Sequence, residues 1–392
     1  MNAKTMYARE NFIEVLLSTI KTYYQEVHGA EVELSLEKKK GFKTLYLYNV
    51  PLFLSGFPIS KGAKKFLYSE YNIRGNMLKY VIGKLGVFAI TNSFGIGAAQ
   101  KIYMYAEETV NTNLFISPCN RTIRFYNFDT DTVDCIVKVG YRSLFFDNQL
   151  RFRTSCSYTF VPVVLKGGSG WYTEKIMHGH ALARVRDQRL YGQSIAAAER
   201  HIATLAADTL QYIPIQEYFA HLCGEFAELC GLLLDQQDGL RQRISVCIED
   251  MMRRMRPIEL TVPTCMSHGD FQKGNIWVTD DKQVLIYDWE ACDRRSVWYD
   301  LVTLYFPLRS EEGTLNLQAW LCEDGRWLGN DPCKQYTSAQ MACINDILCL
   351  EDVVFQMREA QQLSTDYCQK RAREVLGAFV KVAGRYTNES ET

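Results

Sequence analysis

Ser267-His268-Gly269-Asp270-Phe271-Gln272-Lys273-Gly274-Asn275, followed by Val284-Leu285-Ile286-Tyr287-Asp288-Trp289-Glu290, is the stretch on which the reading of this chain turns. Asp270 and Asn275 stand five apart in a glycine-containing turn. A short apolar run then delivers a second carboxylate, Asp288, at its C-terminal end. The turn lets a carboxylate and an amide point into one cavity, and the strand fixes the other carboxylate opposite them. Phosphoryl transfer from a nucleotide needs this set of groups. One carboxylate orients the attacking hydroxyl and takes its proton, while an amide and another carboxylate hold magnesium on the phosphates.

The stretch resembles the signature of the aminoglycoside phosphotransferase and choline kinase superfamily, which shares the protein-kinase fold. That signature is His-Gly-Asp, four variable residues and Asn, then Asp-Trp-Glu about a dozen residues later. Asp300, in Trp298-Tyr299-Asp300-Leu301, extends the match. The resemblance implies that Asp270 is the catalytic base and that Asn275 and Asp288 are magnesium ligands. It also implies that His268 packs beneath the loop and that Asp300 braces it by hydrogen bonding.

Composition sets the frame. The chain has 392 residues, with 47% hydrophobic and 23% charged, the balance of an ordinary globular protein. A formal net charge of −1 gives no bulk attraction to nucleic acid or to an acidic membrane surface. Thirteen cysteines, odd in number, scattered and without a Cys-x-x-Cys pair, read as free thiols rather than disulfides or zinc ligands. Arg9 and Glu10 interrupt the N-terminus where a signal peptide would be apolar, and Leu85 to Gln100 is too short and polar to span a bilayer. The expectation is a soluble, cytoplasmic protein with no membrane span and no nucleic-acid partner.

Upstream, Asn11 to Val27 repeats apolar residues at helical spacing, and Phe42 to Phe57 is aromatic and β-branched enough for strands. Tyr68 to Gln100 is mixed, and its Phe94-Gly95-Ile96-Gly97 reads as an ordinary turn. Three strand-like runs follow: Leu114 to Ser117, Thr122 to Phe128 and Val133 to Val139. The third places Lys138 inside a buried-looking strand, where an ammonium needs an anion. By resemblance Lys138 holds the nucleotide phosphates, and Pro118 to Arg121 is the loop covering them, here without glycine. The helix Leu144 to Arg153 then presents Gln149 where the family places a glutamate facing that lysine. Phe160 to Leu165 and Trp171 to Met177 read as a hairpin leading through Glu174 to the hinge against which the family's adenine sits.

Gln193 to Gln211, Gln216 to Leu234 and Gly239 to Met255 read as long helices. Beyond the catalytic stretch, Arg309 to Pro332 is an acid-containing insertion. Two or three more helices follow, over Ser338 to Leu348, Leu350 to Gln362 and Ser364 to Ala383.

The resemblance therefore implies an α+β, protein-kinase-like two-lobed fold with a small antiparallel-sheet N-lobe and a mainly helical C-lobe. The expected layout is an N-terminal extension over 1–112, the N-lobe over 113–178 and the C-lobe over 179–392. ATP or GTP with Mg2+ are the implied cofactors. Only a dozen residues separate Asp288 from Asp300, and no Ala-Pro-Glu follows, so there is no room for a peptide-docking segment. A small-molecule or glycan hydroxyl is the better acceptor. The acids Glu311, Glu312, Glu323, Asp324 and Asp331 would suit a cationic acceptor, whereas Arg294 and Arg295 would favour an anionic sugar. The other class to weigh is a pseudokinase, a nucleotide-binding module without turnover, for which Gln149 is the main support.

Overall fold

The structure is a computed structural model, and it describes residues 6–7, 10–49, 52–70, 77–92, 95, 97–107, 111, 113–141, 144–234, 239–306, 336–362 and 365–389. Two compact units emerge: Met1–Ala198 with Lys273–Glu290, and Glu199–Gln272 with Ala291–Thr392.

The first unit is built on an antiparallel sheet. Its strands are β1 (Val32–Ser35), β2 (Lys43–Asn49), β3 (Leu52–Ser55), β4 (Ala98–Ala106), β5 (Phe115–Pro118), β6 (Thr122–Asn127), β7 (Thr132–Val137), β8 (Val164–Gly168) and β9 (Trp171–Lys175). Their order among the described residues is β1-β4-β2-β3-β5-β6-β7-β9-β8. Residues 1–112 do not stand apart, as the expected layout had it. Leu54 on β3 pairs with Ile116 on β5, so the early strands continue the later ones in one sheet.

Strand alternation gives this sheet two apolar faces. Ile123, Phe125 and Ile136 point to one side, where helix α1 (Phe12–His28) covers them with Leu16, Ile20, Tyr23 and Tyr24. Tyr23 stacks on Phe125 with ring centroids 3.6 Å apart. Its hydroxyl donates to the Asp134 carboxylate at 2.8 Å. Gly29 ends α1 in the left-handed conformation (φ 63°), and its N–H bonds to Gln25 O. The opposite face carries α2 (Lys61–Glu70), α3 (Met77–Asn92) and α4 (Leu144–Ser155). The sequence reading left 77–92 as mixed, because its apolar residues surround the axis instead of forming one stripe. A second small sheet, β10 (Gly179–Ala181), β13 (Ile276–Thr279) and β14 (Val284–Ile286), carries the segment from Asn275 to Asp288. Helix α5 (Gln188–Asp208) runs from this unit into the next.

The second unit is mainly helical: α6 (Ile215–Leu233), α7 (Gly239–Met255), α8 (Tyr299–Tyr305), α9 (Ser338–Gln361) and α10 (Thr365–Glu389). A three-stranded sheet of β11 (Gln211–Pro214), β12 (Thr261–Ser267) and β15 (Asp293–Ser296) adjoins them. Leu222, Phe226, Met251, Ile347, Leu376 and Phe379 lie in one continuous core. The two helices expected over 338–362 are one, opened by a capping box in which Thr337 and Gln340 satisfy each other's backbone N–H groups. Nothing breaks it at Cys349, since no glycine or proline lies between Ser338 and Gln362. The insertion 309–332, with its acids, lies outside the described residues.

Candidate active site

In the second unit, β12 ends at Ser267 and the chain turns sharply through Gly269 (φ 83°). A Cβ at Gly269 would lie 2.2 Å from the Ala291 carbonyl oxygen, so this turn requires glycine. Asp300, buried in the first turn of α8, gathers the loop. Ser267 Oγ donates to Oδ1 at 2.7 Å, the His268 N–H to Oδ2 at 2.7 Å, and the Gly269 N–H to Oδ1 at 2.9 Å. His268 is fully buried. Its Nδ1 accepts the Asp270 N–H at 3.2 Å, which leaves the ring proton for Nε2 in the neutral tautomer. The Asp270 carboxylate accepts from Gln272 Nε2 at 3.0 Å.

In the first unit, Asn275 precedes β13 and Asp288 follows β14. The Tyr287 N–H donates to Asn275 O at 2.8 Å, which ties the two segments side by side. Asp288 has φ 67°, a left-handed conformation that strains a residue with a side chain. Both residues line a cavity of about 280 Å³. Val133, Ile176 and Met177 give that cavity an apolar wall, while Arg121, Arg124, Glu174 and Glu290 give it charge. Cys119, Asn120 and Arg121 also line the cavity. Burial holds the Cys119 thiol above its ordinary pKa, so it is a neutral wall group.

The charged groups differ in their partners. Arg121 Nη1 pairs with Glu290 Oε1 at 2.5 Å and lies over the Phe145 ring at 4.4 Å. Glu174 pairs with Arg153 Nη2 on α4 at 2.5 Å, a contact buried on both sides. Arg153 also donates to Pro162 O at 2.9 and 2.7 Å. Arg124, on β6, also lines the cavity; its guanidinium has no hydrogen bond or ion pair to any described residue, and its Nε is buried without an acceptor. A guanidinium cannot shed its charge, so this one enters the cavity as an unanswered cation.

Two expectations need correction. Lys138 is fully buried, but its Nζ donates to Glu10 Oε1 at 2.6 Å, and Tyr141 Oη donates to Glu10 Oε2 at 2.6 Å. Phe12 lies beside the ammonium, which therefore faces the α1 side of the sheet, and Lys138 does not line the cavity. The anion it needed is supplied by the N-terminal segment. Gln149 accordingly has no lysine to meet. Its Nε2 donates to Tyr172 Oη at 3.2 Å. One helical turn further on, Arg153 and Glu174 form a helix–strand ion pair with the charges exchanged, cation on the helix and acid on the strand.

Arg294 and Arg295 are also spent internally. Arg294 Nη1 donates to Thr209 O at 3.1 Å and Thr264 O at 3.3 Å. Buried Arg295 donates to Ala291 O at 2.9 Å, with its guanidinium 5.0 Å from the Tyr299 ring centroid. They give no support to an anionic acceptor. The residue that sequence reading missed is Arg124. The available signal was alternation: Thr122, Arg124 and Tyr126 share one face of β6, and Ile123 and Phe125 share the other.

Comparison with known proteins defines a class. Residues 158–329 match the model of the phosphotransferase enzyme family, and this span contains the stretch from Ser267 to Glu290. The match spans less than half of the chain, and the chain as a whole is α+β, with one sheet-based and one mainly helical unit. Among solved structures, the aminoglycoside phosphotransferase APH(4)-Ia is similar at 12% identity and a TM-score of 0.44, covering 68% of this chain and 94% of that one. The choline kinase LicA from Streptococcus pneumoniae is similar at 11% identity and a TM-score of 0.44, covering 67% and 91%. A choline/ethanolamine kinase family protein from Mesorhizobium loti gives 13%, 0.39, 70% and 92%. No curated protein matches the sequence.

Proposed function

We propose that this chain transfers the γ-phosphoryl group of ATP to a hydroxyl of a small molecule or glycan, of sugar or amino-sugar type. The observation that carries the reading is one cavity in which Asn275, Asp288 and the unpartnered Arg124 meet below the 118–121 loop. Val133, Ile176 and Met177 form an apolar wall suited to a purine, and Arg124 offers its guanidinium to phosphate oxygens. The oxygens of Asn275 and Asp288 are the hard ligands that magnesium takes, and the ion would neutralise charge on the phosphates. Asp270 receives the acceptor's proton as its oxygen attacks phosphorus. Asp300 and His268 hold the loop that presents Asp270, through the bonds described above.

A screen of ATP consumption against sugars, amino alcohols and aminoglycosides tests this reading. Acceptor-dependent release of ADP is the expected result, and no stimulation by any class of hydroxyl would count against it. One observation favours a second reading, nucleotide binding without turnover: Lys138 is engaged by Glu10 and not by the cavity. Magnesium-ATP binding with no ADP formed under any acceptor would select that reading.

A further inference from the structure

Helix α3 is apolar on both sides, and the described residues cover only one of them. Val87 and Thr91 are buried, and Val87 packs with Ala63 and Leu67 of α2. On the other side Met77, Leu78, Val81, Ile82, Leu85 and Phe88 are 43–70% exposed. At 100° per residue these six fall on one face. A surface helix of a globular protein puts polar side chains there, and a contiguous apolar patch of this kind marks a surface that something covers.

The charge around it says what covers it. From Lys61 to Lys101 the sequence holds seven basic residues (Lys61, Lys64, Lys65, Arg74, Lys79, Lys84 and Lys101) and one acid, Glu70, within a chain of net charge −1. Among the described residues, one cation lies near each end of α3. Lys64 Nζ reaches Asn92 Oδ1 at its C-terminal end (3.4 Å), and Arg186 lies 4.6 Å from the Tyr80 ring centroid near its N-terminal end. Lys61 is exposed on α2, and Lys65 beside it bonds Asp280 at 3.3 Å while staying largely exposed. No described helix is long and apolar enough to cross a membrane. An apolar face flanked by cations on a short helix suits lying in the interface of an anionic bilayer, with the face among acyl chains and the cations at the headgroups.

We propose that α3 is a peripheral membrane-binding element that seats its Met77–Phe88 face on an anionic lipid surface. This does not depend on the phosphotransfer reading. The test is co-sedimentation of the full chain with vesicles of phosphatidylcholine alone and of phosphatidylcholine with phosphatidylglycerol, alongside the variant L78E/L85E. Both leucines are exposed, so the variant keeps the parent's circular dichroism and melting temperature. The parent is expected to bind the anionic vesicles, to release on added salt, and to bind phosphatidylcholine far less. The variant is expected to lose at least about tenfold in binding. No binding of the parent to anionic vesicles, or equal binding by the variant, overturns the proposal. So does a parent that is dimeric by light scattering, ignores vesicles and becomes monomeric on L78E/L85E, since the face would then be covered by a second copy.

Discussion

Asp270, Arg124 and Lys138 carry the account at the scale of single residues. Asp270→Asn keeps the shape of the loop but cannot take a proton. Turnover is expected to fall roughly 10²-fold or more with nucleotide affinity kept, read from initial rates and nucleotide titration. Arg124 and Lys138 separate by opposite behaviour. Arg124→Gln removes a charge-assisted contact worth about 1.5–3 kcal/mol, so the Kd for ATP is expected to rise roughly tenfold or more at unchanged stability. Lys138→Met leaves Glu10 buried without its cation, with the Tyr141 hydroxyl still on it, and is expected to cost about 3–5 kcal/mol in denaturant unfolding, with the Kd for ATP unchanged in the folded fraction. The reverse pattern would return the phosphate role to Lys138. Sequence made Asp270, Asn275 and Asp288 legible because their spacing is local. The destination of Lys138 was not legible, because its partner Glu10 is 128 residues away. A lysine in a strand declares only that it needs an anion.

Elements were legible where apolar periodicity had one answer. The expected helix over 11–27 is α1, and the three strand runs between 114 and 139 are β5, β6 and β7. Phe160 to Leu165 was read as strand, yet β8 starts only at Val164, and Phe160 instead accepts the Ile286 N–H through its carbonyl at 2.8 Å. Phe160 and Val161 are buried from a loop, which the same hydrophobic signal describes equally well. Helix α9 holds a consequence of its own. Its buried Glu351 accepts from the Ser296 N–H at 2.6 Å, Ser296 Oγ at 2.8 Å and Tyr218 Oη. Burial nevertheless pushes the carboxyl above its ordinary value of 4.5. A raised folded-state pKa contributes stability that is present below the unfolded value and lost as pH rises through the folded one. The unfolding free energy of the parent relative to Glu351→Gln is expected to fall as pH rises from 4.5. A difference that stays flat would show that the hydrogen bonds cancel the cost of burial.

The whole molecule departs from its expected layout in one respect that matters. Residues 1–112 were set aside as an extension, yet they supply four strands of the main sheet, the helix that covers one face and the acid for Lys138. Deleting them is expected to leave an insoluble or molten chain instead of a smaller active enzyme, because the α1 face of β6 and β7 would be stripped. The central claim is that one cavity, lined by Asn275 and Asp288, binds magnesium-nucleotide. The most direct measurement is the melting temperature of the parent and of Asp288→Asn with millimolar ATP, with and without magnesium. A ligand at a hundred times its Kd stabilises the native state by about 2.7 kcal/mol. The account predicts a clear rise for the parent that needs magnesium and is much reduced in Asp288→Asn. No shift in the parent with either ATP or GTP, or a magnesium-dependent shift that Asp288→Asn leaves intact, would contradict it.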